Sequence, residues 1–583
     1  MQDYCAPIDD YRFLLTEVLG FDAAMAEADG GEVDADTAVA ILEEAGRLCA
    51  DRLHPLNRSG DEHGCHLAGG EVSTPAGFPD AWRAFIDGGW ASLSGDPANG
   101  GQGLPFILQL WLDEMMASAN LSFGLFAGLT RGAAEAIAAH ASDALKEIYL
   151  PRLVSGKWTG AMALTESNAG SDLAQLKSKA TPNADGSYAI SGTKIFISSG
   201  DHDFGGNIVH LVLARLPDAP PGVKGISLFL VPKFIPGADG GFTVRNAMSV
   251  GALEEKMGIH AQPTCVMNYD GAVGWLVGEP HRGLAAMFTM MNAERLMVGI
   301  QGLGIASAAY QQAVAYARDR LQGRGADGNP GPVPIIGHAD IRRTLLTIRA
   351  FVEAGRALAG WTALQLDRAH SHPDPLERER SDGLVALLTP VIKAAFTDFG
   401  FESAVHAQQV FGGHGYIREW GMEQYVRDAR IAQIYEGTNG IQAMDLVGRK
   451  IGLASGAVAN SFFDRIEADL TDAATVPEID LVARRGLEAL TLLREATASL
   501  QGADPDTAGA VAVDYLRLFA LVALGWMWAR MAAAAARGDA ARHEAKIHTA
   551  RFFAQRVLNQ AHALARAVAD GSASVVSLPV DQF

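Results

Sequence analysis

Four short apolar runs, "GSYAISGTKIFISSG", "IVHLVLARL", "GISLFLVPKF" and "TCVMNYDGAVGWLVG", lie close together between Gly186 and Gly278. Each is rich in β-branched and aromatic residues and bounded by Gly, Pro, Asp or Asn. They predict closely spaced strands in a small antiparallel barrel or sandwich. The flanks read differently. "TAVAILEEAGRLCADRL" before them carries apolar residues at helical spacing. After them "LAAMFTMMNAERLMVGIQGLGIASAAYQQAVAYARDR" is long, apolar and interspersed with small residues that permit close helix packing.

This order predicts an α+β chain that is mostly α. An N-terminal extension spans 1–34 and a helical domain 35–158, in which "SLSGDPANGGQGLP" interrupts before a helix from about Phe106. A central β-barrel follows at 159–282 and a helical bundle at 283–455, with "GRGADGNPGPVPIIG" as a loop. An additional helical domain, 456–583, contains the alanine-rich "ARMAAAAARGDAARHEAKIHTARFFAQRVL". No internal repeat is found.

With 583 residues, the chain exceeds one hydrophobic core. A formal charge of -20 argues against nucleic acid as the main partner, because phosphate binding needs a basic stripe. The four cysteines form no C-x-x-C pair and suit a reducing compartment. "DEHGCH" (Asp61 to His66) reads as a polar loop without zinc-motif spacing, and no metal is expected. The N-terminus "MQDYCAPIDDYRF" is not a signal peptide, and no uncharged run reaches the roughly 18 residues of a membrane span. A cytoplasmic protein without membrane attachment is expected.

Three stretches offer chemistry. "GAMALTESNAGSDLA" (Gly160–Ala174) carries hydroxyls and glycines able to hold a polar ring edge or a phosphate, although a connecting loop looks the same. "GTKIFISSG" (Gly192–Gly200) also reads as a plain core strand. "QVFGGHGYIREWGMEQYVRDARIAQIYEGTNGIQ" is longer and ordered. In it Glu436 stands in a glycine-flanked turn ahead of a helix start, with Asn439 and Gln442 spaced as a capping pair.

The ordered set "TESNAGSD", "GTKIFISSG", "NAER", "YARDR", "FGGHGY" and "YEGTNGIQ" resembles the acyl-CoA dehydrogenase family, in the family's own order from Ala35 to Gly452. The resemblance implies FAD as cofactor, an acyl-CoA substrate oxidised to the trans-2,3-enoyl-CoA, and an electron-transfer flavoprotein as acceptor. The N-terminal and C-terminal extensions are similar to those of longer bacterial members. Among these, the dehydrogenases of 3-methylmercaptopropionyl-CoA in dimethylsulfoniopropionate breakdown stand nearest, with general fatty acyl-CoA dehydrogenases as the alternative. By the same resemblance the C-terminal domain covers helix surface that smaller members bury in a tetramer, which implies a homodimer.

Carried over by motif, Glu436 matches the catalytic base, suited to removing a proton α to a thioester. Met162, Leu164 and Thr165 match flavin contacts, and Phe196 and Ser198 flank the isoalloxazine position. Arg320, Gln409, Gly412 and Gly413 match contacts to the FAD pyrophosphate and adenosine, usually of a neighbouring subunit. Thr438 matches a flavin-phosphate contact, and Gly440 stands where some members carry a cofactor-touching Gln. Ser171 and Arg295 match acyl-CoA contacts.

Glu294 competes as base, since a few branches place theirs on that helix. Such branches usually lack Glu in the "Y-E-G-T" turn, so Glu436 is preferred and Glu294 reads as an ion-pair partner of a nearby arginine. Asn292 replaces a common Asp, and "RLQGR" departs from the family around Gly323. His414 reads as a turn residue. Two other functions share the scaffold. A DNA-binding flavoprotein is disfavoured by the chain's charge, and a nitroalkane oxidase would carry Asp at position 436.

Overall fold

The computed structural model describes residues 3–27, 33–237, 240–325, 331–539 and 541–583. The chain divides into two compact units. One comprises Arg47–Leu104 and Ala119–Met297, the other Met1–Gly46, Pro105–Ser118 and Val298–Phe583.

The first unit is built on a seven-stranded sheet. Tyr188–Ser198 pairs with Thr264–Val277 on one side and Lys179–Pro182 on the other. Lys179–Pro182 meets Ile208–Arg215, which pairs with Ile226–Pro232, and that strand returns to Thr264–Val277. Five strands therefore close into a ring, with Thr159–Ala163 and Met248–Leu253 added outside it. Not every pair is antiparallel: Thr159–Ala163 and Lys179–Pro182 both run parallel to Ile208–Arg215. Parallel pairing needs a long crossover, which the chain between Ala163 and Ile208 supplies.

The unbroken apolar run of Ile208–Arg215 has a physical reason. Ile208, Val212 and Ala214 face the inside of the ring. Val209, Leu211 and Leu213 face a second cluster with Leu129, Ile137, Tyr149 and Met287 from the helices. A strand buried on both faces cannot alternate with polar residues. His210 is admitted because Nδ1 shares a hydrogen bond with the Tyr269 hydroxyl at 2.7 Å and Nε2 with Gly200 O at 2.8 Å. Burial lowers its pKa to about 4.

"DEHGCH" is not a single loop. Asp61 and His63 belong to the helix Pro55–His63, and His66 opens a hairpin, His66–Ala68 against Glu71–Ser73. The helix Phe106–His140 is broken at Asn120, where φ is -163° and ψ 93°. The Asn120 side chain repairs the break, accepting from Phe123 N at 3.1 Å and donating to Leu53 O.

The second unit is helical. Pro505–Arg537 packs against Ala339–Ser371, Pro375–Val410, Asn439–Asp445 and Asp480–Leu500. Surrounded in this way, it is buried on nearly all sides from Val511 to Ala535 and shows little amphipathic pattern. Two of its indoles fix the register: Trp528 Nε1 donates to Ala350 O at 2.8 Å and Trp526 Nε1 to Asp469 at 2.9 Å. Pro375–Val410 and Pro505–Arg537 are long and apolar enough to cross a membrane by composition, yet 72% and 67% of those windows are buried inside the protein. The helices Gly283–Asp319 and Pro375–Val410 approach backbone to backbone, since a Cβ on Gly400 would lie 2.5 Å from Gly302 O.

Two segments carry more structure than their sequence suggests. Within the N-terminal extension, Ile8–Phe13 is helical and buries Tyr11 and Phe13. In the stretch read as a loop, residues 326–330 lie outside the described residues, while Leu321–Arg324 and Pro332–Pro334 form a short antiparallel pair.

A buried ion lattice joins these helices. Arg356 is 2% exposed and grips Glu114 with Nε at 2.9 Å and Nη2 at 2.5 Å. Its other Nη pairs with Asp10, which also pairs with Lys546, and Lys546 bonds Glu353 at 2.9 Å. Burial opposes ionisation of Asp10, but Lys546 and Arg356 outweigh it and hold the carboxyl at about 2. Removing one member of a buried pair strands the other and costs about 3–5 kcal/mol. Arg356→Met is therefore expected to lower the thermal unfolding midpoint by several degrees. An unchanged midpoint in a thermal scan would contradict the lattice's role.

Candidate active site

In the sheet unit, the strand Thr159–Ala163 delivers the loop that carries Leu164 and Thr165. That loop is folded on itself, with Glu166 and Ala169 exchanging both backbone hydrogen bonds. A buried carboxylate locks it further. Glu166 accepts from Lys177 N at 2.7 Å, Ser178 N at 3.0 Å, the Ser178 hydroxyl at 2.7 Å and Lys194 Nζ at 2.9 Å. Lys194, fully buried, also donates to Leu164 O at 3.0 Å. Desolvation lowers its pKa to about 8, against the pull of Glu166.

"GTKIFISSG" is not a plain strand. Cys265 pairs with Ile197 but Met267 with Lys194, so an extra residue bulges out at Ile195–Phe196. Phe196 takes φ 60° and is 59% exposed. A strained, solvent-facing aromatic beside a locked hydroxyl loop is the mark of a ligand surface rather than a core. The two motifs are tied together, since Ile195 N donates to Thr165 O at 2.9 Å. Met162, Leu164, Thr165, Phe196 and Ser198 thus belong to one assembly. Opposite Ser198 across the sheet, the buried Thr264 hydroxyl has no hydrogen-bond partner among the described residues. An exposed ring with unused hydroxyl capacity beside it fits a flat heteroaromatic cofactor with a polar rim.

Ser171 is exposed beyond the same loop. Glu294 and Arg295 are both buried on the helix Gly283–Asp319. Glu294 is accommodated by two glycines, since a Cβ on Gly132 would lie 2.8 Å from its Oε1 and one on Gly128 3.8 Å. Arg295 donates to the Asn292 side chain at 3.2 Å, so the residue in place of the common Asp still serves as a neutral acceptor.

In the helical unit, the stretch that holds Glu436 leaves the helix Met422–Ala432 and enters the helix Asn439–Asp445. Glu436 has φ 56° and Gly437 φ 84°. Two successive left-handed residues reverse the chain abruptly, and for a residue with a Cβ this costs roughly 1–2 kcal/mol. Glu436 is half-buried, with Oε2 shielded from water. Glycine suits position 437 because φ is 84°, and a Cβ there would also displace Gln442 Nε2, 2.6 Å away.

The helix cap differs from the sequence expectation. Thr438, not Asn439, is the N-cap, its hydroxyl accepting from Ile441 N at 3.3 Å. Asn439 turns inward instead, donating to Asp398 at 2.7 Å and to Ala394 O at 3.1 Å. Lys393, fully buried, donates to Gly437 O at 2.7 Å and to Asn439 Oδ1 at 3.0 Å. Gly440 is exposed on the first turn of the short helix. The buried Gln442 Oε1 has no hydrogen-bond partner among the described residues.

Arg320, Gln409, Gly412 and Gly413 are all exposed. They are gathered by an aromatic stack. Tyr316, one turn before Arg320, lies 4.1 Å from the Phe411 ring and shares a 2.8 Å hydrogen bond with His414 Nδ1. His414 in turn stacks on Trp420 at 4.3 Å. Gly412 has φ 58°, and nothing lies within 4 Å of a Cβ built on it or on Gly413, which leaves backbone open to a phosphate-bearing ligand.

Sequence reasoning passed over Glu166, Lys194, Lys393 and Asp398. For the two lysines the signal was a charge inside an apolar run, "GTKIFI" and "PVIKAAF", where a solvated side chain has no room.

Comparison with known proteins matches this arrangement along the chain. Residues 35–157, 161–272 and 281–451 match the acyl-CoA dehydrogenase N-terminal, middle and C-terminal domains, and 462–579 the acetyl-CoA dehydrogenase C-terminal-like domain. The 3-methylmercaptopropionyl-CoA dehydrogenase of Ruegeria pomeroyi is 43% identical over 98% of this chain and 99% of its own. A butyryl-CoA dehydrogenase of Syntrophomonas wolfei is 32% identical over 100% and 99%. In fold, the Caenorhabditis elegans ACDH-11 structure with C11-CoA superposes with a TM-score of 0.79 at 20% identity, covering 95% of this chain and 92% of that one. The chain belongs to the acyl-CoA dehydrogenase family, whose cofactor is FAD and whose substrates are acyl-CoA thioesters.

Proposed function

We propose that the protein dehydrogenates 3-methylmercaptopropionyl-CoA to methylthioacryloyl-CoA, with Glu436 as the base. The left-handed Glu436 backbone carries the reading of the base: a strained residue in a braced, glycine-flanked turn is costly unless its placement serves chemistry. The end-to-end match at 43% identity supports the substrate. A thioether packs much like a methylene, so an apolar pocket accepts it without a dedicated polar group.

In this reading the Glu436 carboxylate removes the proton α to the thioester carbonyl. The Glu436 N–H, aimed by the same turn, stabilises the charge that develops on the carbonyl oxygen. FAD, when bound, accepts hydride from the β carbon. Met162, Leu164, Thr165, Phe196 and Ser198 hold its ring, while Thr438 and Gly440 take part in binding it. Arg320, Gln409, Gly412 and Gly413 hold the pyrophosphate and adenosine of a neighbouring subunit's cofactor. Ser171, Arg295 and Glu294 face the acyl-CoA. Electrons leave to an electron-transfer flavoprotein. The absence of disulfides among the four cysteines supports a cytoplasmic location.

The butyryl-CoA dehydrogenase relative supports a second reading, a general fatty acyl-CoA dehydrogenase. One methylene in an apolar pocket is worth only about 1–3 kcal/mol, so kinetics must separate the two.

Three outcomes are expected. Glu436→Gln should lower kcat by a factor of roughly 100 or more while flavin content stays unchanged; bleaching of the yellow protein by acyl-CoA at the wild-type rate would transfer the role to Glu294. Across butyryl-, octanoyl-, palmitoyl- and 3-methylmercaptopropionyl-CoA with an artificial acceptor, kcat/KM should be highest for the thioether; a flat or long-chain-biased panel removes that substrate. Light scattering should report a homodimer, because the C-terminal helices cover bundle surface; a tetramer would contradict this.

A further inference from the structure

We propose that Lys393 is a positioning residue for the Glu436 turn, and that its buried ammonium sets the backbone from which the carboxylate projects. The inference rests on the assignment of Glu436 as base. A lysine with no exposed surface in a helix interior loses its hydration and stays only if its donors find acceptors. Lys393 finds two of them in the turn: Gly437 O at 2.7 Å, immediately after Glu436, and Asn439 Oδ1 at 3.0 Å.

The attachment extends to both sides of Glu436. Ahead of it, Gln433 Nε2 donates to Asp398 at 2.7 Å. Behind it, Asn439 Nδ2 donates to the same Asp398 oxygen at 2.7 Å and to Ala394 O, and the Thr397 hydroxyl meets the Asn439 amide at 3.2 Å. Asn439 N also bonds Gln433 O at 3.1 Å, closing the arch at its base. Residues 393, 394, 397 and 398 recur at helical spacing on one face of Pro375–Val410. Glu436 thus stands at the top of an arch whose two feet are fixed to one rigid helix. Lys393 holds the Gly437 carbonyl, next to Glu436, with the shorter of two side-chain bonds there, 2.7 Å against 3.4 Å for Gln442 Nε2 to Glu436 O, where the left-handed conformation must be maintained.

Misplacing a reacting group by about 1 Å costs up to a hundredfold in rate. Lys393→Met keeps the length and burial of the side chain and removes its donors. Asn439→Ala removes the second acceptor and the Asp398 anchor without placing a new group in the helix. Both are compared, as FAD-loaded protein, with the wild type and Glu436→Gln.

The probe is (ethylthio)acetyl-CoA, which has sulfur at the β position and cannot yield hydride. Exchange of its α protons in D2O, followed by NMR, therefore reports the base alone. Lys393→Met and Asn439→Ala should slow exchange roughly tenfold to a hundredfold. With oxidisable substrate, kcat should fall by a similar factor with KM and flavin content near wild type. Wild-type exchange in both variants, with Glu436→Gln inactive, overturns the role of Lys393 alone, as does a raised KM with unchanged kcat. Wild-type exchange in Glu436→Gln overturns the base assignment itself. If Lys393→Met does not fold, Asn439→Ala decides the question.

Discussion

Arg356 cannot be buried alone. A guanidinium stripped of water must be met by carboxylates, and Arg356 is met by Glu114, from the helix Phe106–His140, and by Asp10, near the N-terminus. Asp10 then requires Lys546, near the other end of the chain, and Lys546 draws in Glu353. Four stretches far apart in sequence are thereby committed to one arrangement of the helical unit. Apolar packing among these helices would tolerate small slips. The ion lattice does not, because each slip leaves a desolvated charge.

The same logic operates on a smaller scale at the candidate site. Glu166 with Lys194 fixes the hydroxyl loop, and Lys393 with Asn439 and Asp398 fixes the Glu436 turn. Both lysines are fully buried, and each is kept by the acceptors it holds. Lys194 ties the Glu166 loop to the strand that carries the left-handed Phe196, and Lys393 ties the left-handed Glu436 turn to a helix. Rigid elements supply the accuracy and short irregular segments supply the chemistry.

Much of this was legible in the sequence, because strand and helix periodicity are local properties. The strands at Ile208–Arg215 and Thr264–Val277 and the glycine-flanked turn at Glu436 announce themselves within ten residues or so. What escaped depends on partners far away. Tyr11 and Asp10 look like part of a plain N-terminal extension until Glu114, Arg356 and Lys546 are brought to them. Asn439 looks like a helix cap until Asp398 and Lys393 compete for its amide. The bulge at Phe196 is invisible in "KIFIS" because it is a mismatch with Thr264–Val277, not a feature of one strand.

The pairing of Asp10 with Lys546 spans 536 residues, and it has a consequence for biosynthesis. A ribosome adding about 5–20 residues per second leaves the N-terminal helix waiting roughly half a minute or more for its cation. Throughout that interval Tyr11, Phe13 and Leu14, all buried in the finished protein, have no completed surface to cover them. The sheet unit, contained between Arg47 and Met297, has no such delay. Its central strands can pair while the rest of the chain is still being made, whereas the helical unit completes itself only once Lys546 has been made. The apolar face of the helix Ile8–Phe13 therefore stays incompletely covered until Lys546 and its neighbours arrive.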